Sequence, residues 1–367
     1  MNNNNSILIC TGGTGGHVIP AVNFGNYLIL KGYRCSLMLD KRGVKYANNF
    51  KGNIISIHSS HLSGNFYFKV KSTFNLFIGL IQSIYYIVKI IPRHCISFGS
   101  YASFTPLLVS IFFKLFKRID IHIHEQNSIM GKVNLFFLPY SNNVFTNFEL
   151  IDNIKKEYHY KTYHVGLPSL SKNKILFDKL DINKEKIIIF IYGGSQGSAP
   201  IIECFLSMFN EFTKKEIEKI KLIIQSPHQL ALKVKENLTK LNAEYQLKNY
   251  YNNIHEILKK TDLAITRAGA GTINDLIVHQ VPSILFPLPH STNNHQIKNA
   301  EYLENKQCTI IMHENIFNKN TNLEILRNLI NDFKKRETMK LALNNIPLPN
   351  ANELMLNVLL DEEKYKI

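Results

Sequence analysis

Residues 263–279 read LAITRAGAGTINDLIVH, and this stretch decides the fold. Leu263 to Thr266 is a short apolar run typical of a buried parallel strand, and Thr272 to His279 has helical spacing. Two glycines lie in the turn between them and leave the backbone bare. A ligand can therefore approach amide N–H groups at a helix start, where the dipole favours phosphate. The alternative is an ordinary strand-to-helix turn.

Two further turns of the same kind occur in the chain. Ser6 to Cys10 leads into the glycine-rich run 12–16 and His17, and the apolar run 187–192 leads into the glycine-rich run 193–197. Turn chemistry alone does not require three such turns. We therefore expect several loops to converge on one phosphorylated ligand.

Length and composition indicate two globular domains. The chain has 367 residues, a length that exceeds the size at which a single core usually stops growing. Hydrophobic residues make up 45% of it, enough for two cores. Its five cysteines lie far apart without the spacing of a zinc site or redox pair, so we interpret them as reduced residues of a cytosolic protein. Met1 and the four asparagines after it lack the features of a signal peptide.

The formal net charge of +15 raises three classes of partner: nucleic acid, anionic membranes and acidic substrates. Lysine is abundant throughout a sequence rich in asparagine and isoleucine, so we assign about half of the excess charge to composition alone. No helix-turn-helix, finger or RNA-binding signature is present in the sequence. We expect no nucleic-acid partner.

Strands alternate with helices in both halves. Ser6–Cys10 and Cys35–Leu39 flank a helix that we expect Pro20 to open, which is a βαβ unit and predicts a parallel sheet. Other predicted strands are 119–123, 187–192, 221–225, 263–266, 283–287 and 309–312. The alternation pauses near residues 166–168. We predict an N-terminal Rossmann-like domain over 1–165 and a C-terminal one over 166–349, with helix 350–367 packing back on the first.

Residues 74–91 form a very apolar predicted helix that ends before Pro92. A membrane span needs about 20 mostly apolar residues, so the sequence predicts that this helix is too short and, at Gln82 and Ser83, too polar to be one. Its apolar residues exceed what a buried stripe needs, and basic residues flank it. The apolar residues are Phe77, Leu80, Ile81, Ile84, Tyr85 and Val88, and the flanking basic residues are Lys69, Lys71, Lys89 and Arg93. We expect an interfacial helix that meets anionic headgroups; the alternative is a buried core helix.

A dinucleotide-binding oxidoreductase is the nearest rival interpretation. A glycine loop follows the first strand, and Asp40 ends the second strand, where a ribose-binding acid would lie. The G-x-G-x-x-G fingerprint fails, however, because counting from Gly13 places Val18 at the third glycine. No glycine-lysine-serine/threonine sequence follows any of the turns, which argues against a P-loop.

The motifs taken together resemble those of the MurG family of peptidoglycan glycosyltransferases, and the resemblance covers almost the whole chain. In order they are Gly12–His17 with Pro20-Ala21, Gly99 with Tyr101 and Ser103, His124–Asn127, Gly193–Gly197, Arg267–Asp275, and His295-Gln296 with Asn299-Ala300. The resemblance implies the glycosyltransferase B fold, in which two Rossmann-like domains face each other across a cleft. The C-terminal domain would hold the nucleotide sugar, and the N-terminal domain would hold the acceptor.

The activity implied is inverting, metal-independent transfer of GlcNAc from UDP-GlcNAc to the 4-hydroxyl of lipid I, giving lipid II for the cell wall, without a cofactor. The implied partners are UDP-GlcNAc, lipid I and an anionic membrane surface, with the enzyme peripheral on the cytoplasmic face of the inner membrane. A UDP-GlcNAc 2-epimerase or another sugar transferase of this fold is the alternative. A nucleotide-sugar-binding protein without catalysis is another.

The resemblance also implies roles for individual residues. Ser195 and Gln196 would touch the donor diphosphate, with Ala270, Gly271 and Thr272 in the same site. Asp275 would bind the ribose, Tyr250 and Tyr251 the uracil by side-chain contact and backbone, and Gln296 the GlcNAc hydroxyls. In the N-terminal domain, Thr14, Gly15 and Gly16 would border the diphosphate and sugar, and Asn127 would reach the sugar. His17 is the implied general base, with Glu125 as the second candidate.

Structural alternatives stay open for several of these residues. His17 could cap a helix, Glu125 could brace its loop, and Gln196 and Gln296 could be hydrogen-bonding residues at helix starts. The chain also departs from the family pattern, which usually has glutamate at Asp275. Leu170 stands where an arginine is expected, and the glycines near Tyr101 are thinned, with departures at Ser100 and Thr105.

Overall fold

The chain folds into two α/β units, each built on a parallel sheet. The structure is a computed structural model that describes residues 5–60, 65–116, 118–149, 151–169, 185–194, 197–291 and 294–364. One compact unit comprises Met1–Lys172 and Pro349–Ile367, and the other comprises Asn173–Leu348. The predicted class of two Rossmann-like domains is confirmed.

The first unit contains a seven-stranded sheet. Its strands are β1 (Ser6–Cys10), β2 (Arg34–Asp40), β3 (Asn53–Ile57), β4 (His94–Ser97), β5 (Asp120–Glu125), β6 (Asn143–Thr146) and β7 (Thr162–His164). They lie in the order β3-β2-β1-β4-β5-β6-β7, and every neighbouring pair is parallel. All five residues of β1 are buried, as expected of a strand covered on both faces.

The second unit contains a six-stranded sheet. Its strands are β8 (Ile187–Tyr192), β9 (Ile220–Gln225), β10 (Glu244–Lys248), β11 (Leu263–Thr266), β12 (Ser283–Leu285) and β13 (Thr309–Ile311). They lie in the order β10-β9-β8-β11-β12-β13, again all parallel. Parallel neighbours place their carboxyl ends at one edge, so the loops after these strands share one side of the sheet.

Helices connect the strands in both units. They are α1 (Gly15–Leu30), α2 (Lys41–Val44), α3 (Phe66–Ile90), α4 (Phe104–Leu115), α5 (Lys132–Phe137), α6 (Ala199–Phe209), α7 (Lys214–Ile217), α8 (His228–Lys240), α9 (Ile254–Leu258), α10 (Ala270–His279), α11 (His295–Asn305), α12 (Lys319–Asn331), α13 (Phe333–Asn345) and α14 (Ala351–Lys364). Met355, Leu356 and Leu359 of α14 lie in the same buried cluster as Val22 of α1. Helix α14 therefore contributes to the core of the first unit.

Helix α1 begins earlier than the sequence predicts. We expected Pro20 to open it, but the helix starts at Gly15 and contains Pro20. Proline has no N–H for the carbonyl of Gly16, four residues before it. Gly16 is exposed, so water can take the place of the missing donor.

Helix α3 is also longer than predicted, since it begins at Phe66 rather than Phe74 and has 25 residues. By length and composition, its segment Lys69–Ile90 could cross a membrane. Only 17% of an apolar 18-residue stretch within this segment is buried. The prediction that this helix is too short for a span was therefore wrong.

Two polar residues in the middle of α3, Gln82 and Ser83, face the first unit. Ser83 Oγ donates to the carbonyl of Gly79 at 2.7 Å and to Thr105 Oγ1 at 3.1 Å, and Gln82 Oε1 accepts from the amide of His58 at 2.8 Å. A Cβ added to Gly79 would lie 2.1 Å from the carbonyl oxygen of His58. The middle of α3 is thus fixed against the protein by close packing and hydrogen bonds.

Candidate active site

The loop after β1 is braced by the residue that suggested a dinucleotide site. The buried Asp40 accepts through Oδ1 from the amides of Gly13 at 2.8 Å and Gly43 at 3.1 Å, and its Oδ2 pairs with Arg42 at 2.7 Å. Both carboxylate oxygens are therefore engaged within the protein. This arrangement gives Asp40 a role in shaping the glycine loop instead of binding a ribose.

The start of α1 presents free backbone donors. Thr14 is the N-cap residue, its side chain makes no capping hydrogen bond, and its carbonyl accepts from His17 and Val18 at 3.2 Å each. The amides of Gly15 and Gly16 precede the first intrahelical bonds. Since α1 has 16 residues, its dipole favours an anion at this end.

His17 lies on the first turn of α1 and is held through one ring nitrogen. Its Nδ1 lies 2.9 Å from the carbonyl oxygen of Phe98 and 2.8 Å from Oε1 of Gln126. The contact with Gln126 brings the glycine loop and the segment after β5 together. The sequence-predicted residues His17 and Asn127 thus belong to neighbouring loops of one unit.

Glu125 is the last residue of β5, and its carboxylate is fully engaged. Oε1 accepts from the amide and the side chain of Asn127 at 3.1 and 3.2 Å. Oε2 accepts from the amide of Gly131 and the side chain of Asn134 at 2.9 Å each. Glu125 is buried, and all four bonds tie down the segment that carries Asn127. Its position fits the bracing alternative better than proton transfer.

Ser100, one of the departures from the family pattern, has an unusual backbone. Its φ is 74° and its ψ is 155°, a region that glycine alone adopts readily. The preceding Gly99 lies beside the catalytic candidate, since a Cβ there would be 3.4 Å from Cε1 and Nδ1 of His17. The strain is therefore located directly beside the candidate base.

In the second unit, the turn after β8 cannot tolerate a side chain at its first glycine. A Cβ on Gly193 would lie 2.3 Å from the carbonyl carbon of Gly197 and the amide of Ser198. The turn is held to the neighbouring strand by Gln225, whose side chain donates to the carbonyl of Gly194 at 3.0 Å. Ser195 and Gln196 lie outside the described residues, so their predicted diphosphate contacts stay predictions.

The start of α10 offers a second set of backbone donors. Gly269 is its N-cap, and the first intrahelical bond runs from Ile273 to the Gly269 carbonyl at 2.9 Å. The amides of Ala270, Gly271 and Thr272 precede that bond. A Cβ on Gly271 would meet no atom within 4 Å, so a ligand can approach the backbone here.

Asp275 lies on α10, one turn beyond these amides, and is half-buried. Burial raises the pKa of its carboxyl group to about 7. No hydrogen bond or ion pair of this carboxylate occurs among the residues that the structure describes. A group of this kind gains a great deal from hydroxyl donors, such as those of a ribose.

Arg267, by contrast, is engaged within the protein through both of its terminal nitrogens. Its guanidinium pairs with Glu314 at 2.8 Å, and it donates to Ser198 Oγ at 2.8 Å and to the carbonyl of Phe286 at 3.1 Å. It joins the turn after β11 to the end of the turn after β8. Arg267 thus positions two candidate ligand loops, and its partner Glu314 has no signal in the sequence that would have identified it.

Tyr250 and Tyr251 follow β10 and differ in exposure. The ring of Tyr250 is 54% exposed, whereas Tyr251 is buried against Phe190 and donates its hydroxyl to the carbonyl of Gln246 at 3.2 Å. Burial raises the pKa of Tyr251 to about 12. Tyr250 can therefore offer a ring to a ligand, while Tyr251 can offer only its backbone.

Gln296 lies on the first turn of α11. Its Oε1 accepts from the amide of Leu288 at 3.0 Å, and its own amide donates to Ser291 Oγ at 3.3 Å. The side chain therefore holds the loop after β12. The side-chain NH₂ is the group that remains for a sugar hydroxyl, since no bond from it occurs within the described part of the chain.

Among the described residues, no group of three or more His, Cys, Asp or Glu side chains is arranged to hold a metal.

Family models match most of the chain. The glycosyltransferase family 28 N-terminal domain matches residues 7–146, and the glycosyltransferase family 28 C-terminal domain matches residues 188–354. The two matched ranges contain the glycine turns described above.

Curated relatives and solved structures agree with these matches. The UDP-N-acetylglucosamine--N-acetylmuramyl-(pentapeptide) pyrophosphoryl-undecaprenol N-acetylglucosamine transferase of Rickettsia canadensis (strain McKiel) is 33% identical over 84% of this chain and 86% of the relative. The enzyme of the same name from Rickettsia bellii (strain RML369-C) is 32% identical over 90% and 95%.

The crystal structure of Acinetobacter baumannii MurG superimposes with a TM-score of 0.79 at 17% identity, covering 97% of this chain and 99% of that one. A structure of Staphylococcus aureus MnaA with UDP gives a TM-score of 0.66 at 14% identity, covering 98% and 97%. These two likenesses support the glycosyltransferase B fold. With both domain models matched and relatives above 30% identity over most of its length, the chain belongs to glycosyltransferase family 28, in its MurG group.

Proposed function

We propose that this protein transfers GlcNAc from UDP-GlcNAc to the 4-hydroxyl of undecaprenyl-pyrophosphoryl-MurNAc-pentapeptide, lipid I, giving lipid II for peptidoglycan. The observation that carries the proposal is the match to relatives named for this reaction, which extends through both units. The glycine turns, the carboxylate of Asp275 and the exposed ring of Tyr250 supply the chemistry for a nucleotide sugar.

The second unit would bind the donor. The amides of Ala270, Gly271 and Thr272 would meet the diphosphate at the start of α10, where the dipole favours negative charge. Asp275 would accept from the ribose hydroxyls, and the ring of Tyr250 would contact uracil. The side-chain NH₂ of Gln296 would bind the GlcNAc hydroxyls. Ser195 and Gln196 would also touch the diphosphate, as the sequence predicts.

His17 would be the general base. The acceptor 4-hydroxyl oxygen forms a bond to the anomeric carbon of GlcNAc as the bond from that carbon to the UDP oxygen breaks. Nε2 of His17 takes the hydroxyl proton, and attack opposite the leaving group inverts the anomeric centre. Amides at helix starts would stabilise the negative charge that develops on UDP, without a metal. The positioned base contributes about 10² to 10⁴ in rate.

Thr14, Gly15, Gly16 and Asn127 would border the reacting groups in the first unit, with Glu125 positioning Asn127. Glu125→Gln separates a bracing role from a role as base, because it keeps one acceptor oxygen and the shape of the side chain but removes the carboxylate. We expect it to retain more turnover than His17→Ala. If Glu125→Gln instead abolishes turnover while His17→Ala does not, Glu125 is the base.

Lipid-I-dependent release of UDP tests the whole proposal. The transferase should release UDP only when both substrates are present and should form lipid II. A 2-epimerase would convert UDP-GlcNAc without an acceptor, and a binding protein would release no UDP. Either of these results contradicts the proposed reaction.

The protein would reach its lipid acceptor as a peripheral protein on the cytoplasmic face of the inner membrane. On α3, Phe74, Phe77, Ile81 and Tyr85 are each more than half exposed, while Ile87 is buried on the opposite face. Leu80, which the sequence assigned to the exposed set, packs on the core instead. One face of α3 thus packs on the unit and the other is free to enter a membrane interface.

The apolar surface extends to the neighbouring helix α4, where Phe112 and Leu115 are exposed, and to Phe116, which follows it. Exposed Lys69, Lys71 and Lys89 would meet anionic headgroups, each contributing about 1 kcal/mol near the surface. Arg93 pairs with the buried Asp120 at 3.6 Å and is less suited to this role.

Sedimentation with vesicles tests the membrane proposal. Binding should require anionic lipid, weaken as salt rises, and fall in the double variant Lys71→Glu, Lys89→Glu. Arg93 is left unchanged because a glutamate there would face Asp120. The control is Lys235→Glu, Lys240→Glu on α8 of the second unit, which should sediment like the parent. A folded α3 variant that also sediments like the parent contradicts the assignment of this surface.

A further inference from the structure

A chain of buried hydrogen bonds connects His17 to the end of the first unit's sheet. His17 Nδ1 bonds to Gln126 Oε1 at 2.8 Å, and Gln126 Nε2 lies 3.2 Å from His124 Nδ1. His124 Nε2 lies 3.0 Å from the carbonyl oxygen of Gly166. Gln126 and His124 are both at most 1% exposed, so the chain is shielded from water.

The far end of this chain fixes the direction of every bond. The carbonyl of Gly166 can only accept, so His124 carries its proton on Nε2 and accepts through Nδ1. The amide NH₂ of Gln126 then faces His124, and its carbonyl faces His17. Because Phe98 also presents a carbonyl at 2.9 Å, Nδ1 of His17 must be the protonated nitrogen. The lone pair of neutral His17 therefore lies on Nε2.

His124 is well suited to hold this arrangement. The ring of Phe98 stacks on it with centroids 4.9 Å apart and planes 19° apart. Burial lowers the pKa of His124 to about 4, with the nearby His17 acting in the same direction. At neutral pH the ring stays uncharged and keeps one donor and one acceptor. Its Nδ1 therefore continues to accept from the Gln126 NH₂, and the Gln126 carbonyl stays directed at His17.

We propose that Gln126 is a positioning residue for the transfer reaction, whose carbonyl stabilises the imidazolium that forms when His17 Nε2 accepts the proton of the acceptor hydroxyl. The inference rests on the proposed function, since it needs His17 to be the base. On proton transfer the bond from Nδ1–H to Gln126 becomes charge-assisted, and such bonds are roughly twice as strong as neutral ones. The stabilisation therefore appears in the transition state and acts on turnover.

The central test is a double-mutant cycle on kcat. Gln126→Met keeps the length of the side chain and removes its carbonyl, and we expect turnover to fall about tenfold with KM for UDP-GlcNAc unchanged. In a His17→Ala background the same substitution should change turnover by less than about twofold, because no imidazolium forms. A fold-change that is the same in both backgrounds overturns the inference.

Two variants separate positioning from general loosening of the loop. Asn147 donates to the backbone carbonyl of Gln126 at 2.9 Å, so Asn147→Ala loosens the same segment while leaving the side-chain relay in place. We expect its turnover to stay within about threefold of the parent. Gln126→Glu retains an acceptor toward His17 and should recover turnover relative to Gln126→Met, and it serves as the test if the methionine variant does not fold. If the turnover of Gln126→Glu does not exceed that of Gln126→Met, the result counts against the proposal. A folded Gln126→Glu variant without turnover also counts against it.

The tautomer gives a readout that does not depend on turnover. Nitrogen NMR of ¹⁵N-histidine-labelled protein, with His17 assigned by its loss in His17→Ala, should show neutral His17 protonated on Nδ1. A neutral ring protonated on Nε2 overturns the inference. If instead His17→Ala itself turns over within a few-fold of the parent, the proposed base fails, and that outcome is distinct from a failed cycle.

Discussion

Replacing Asp275 with asparagine should make the protein more stable, and the gain should grow with pH. Burial raises the pKa of this carboxyl group from 3.8 to about 7. Unfolded chains release the proton near pH 4, whereas the folded chain holds it until near pH 7. Folding therefore loses stability as pH rises through this window, by about 1.4 kcal/mol per unit. Over about three units the upper limit is ~4 kcal/mol, and the partial exposure of the side chain reduces our expectation to ~2 kcal/mol.

Urea unfolding at about pH 4.5, 6 and 7.5 measures the difference. Parent and Asp275→Asn should be nearly equal at the lowest pH, and the variant should be more stable by about 2 kcal/mol at the highest. Asp332→Asn is the control, because Asp332 caps α13 by accepting from Lys335 and asparagine caps equally well. A difference between parent and Asp275→Asn that stays constant with pH would refute the reasoning.

The same carboxylate should make donor binding depend on pH. UDP-GlcNAc is the suitable ligand, because both of its phosphates are esterified and neither releases a proton near pH 7. Calorimetry should show that the parent binds it more tightly as pH rises from about 6 to 8, as Asp275 ionises and accepts from the ribose. Asp275→Asn should bind UDP-GlcNAc about equally at both pH values. At the higher pH it should bind more weakly than the parent, by about 1.5–3 kcal/mol. Equal binding by parent and variant at the higher pH contradicts the ribose assignment.

Three other variants have defined outcomes. Gln296→Glu keeps the acceptor for the Leu288 amide and removes the side-chain NH₂, so it should weaken UDP-GlcNAc and leave UDP binding intact by calorimetry; equal losses for both ligands count against a sugar contact. Gly79→Ala should destabilise the first unit by about 1–3 kcal/mol in urea, because its Cβ would overlap the carbonyl of His58; an unchanged midpoint contradicts the close packing of α3. Ser100→Gly should relieve a backbone conformation that costs about 1–3 kcal/mol and raise Tm by a few degrees, and a lower Tm argues against strain there.

Long apolar strands could be predicted, whereas the mixed edge strand β10 could not. β1 and β8 are apolar along their whole length because helices cover both faces of a parallel sheet, so their bounds could be predicted closely. β10 alternates exposed and half-buried residues at the sheet edge and was missed. The start of α3 was misplaced because its first turns contain no residue that stops a helix.

The glycine turns of the site follow from local chemistry, whereas the pairings that hold it together are tertiary. A bare turn between strand and helix is visible in any sequence, so the glycine turns before α1 and α10 could be predicted. Both helices nevertheless begin earlier than expected, at Gly15 and Ala270. Asp40 stood where a ribose-binding acid belongs, yet it faces Gly13. Gln126 belongs to a recognised motif, but its role depends on a carbonyl 40 residues away in the chain, at Gly166.

The chain order of the two units has a consequence for synthesis. The first unit needs α14, whose Met355 and Leu359 lie in its core, but α14 follows Asn173–Leu348 in the chain. At about 5–20 residues per second, a ribosome takes on the order of ten seconds or more to make the intervening unit. During that time the nascent first unit exposes the apolar surface of α1 that α14 will cover. A chaperone therefore has a defined interval and a defined site at which to bind.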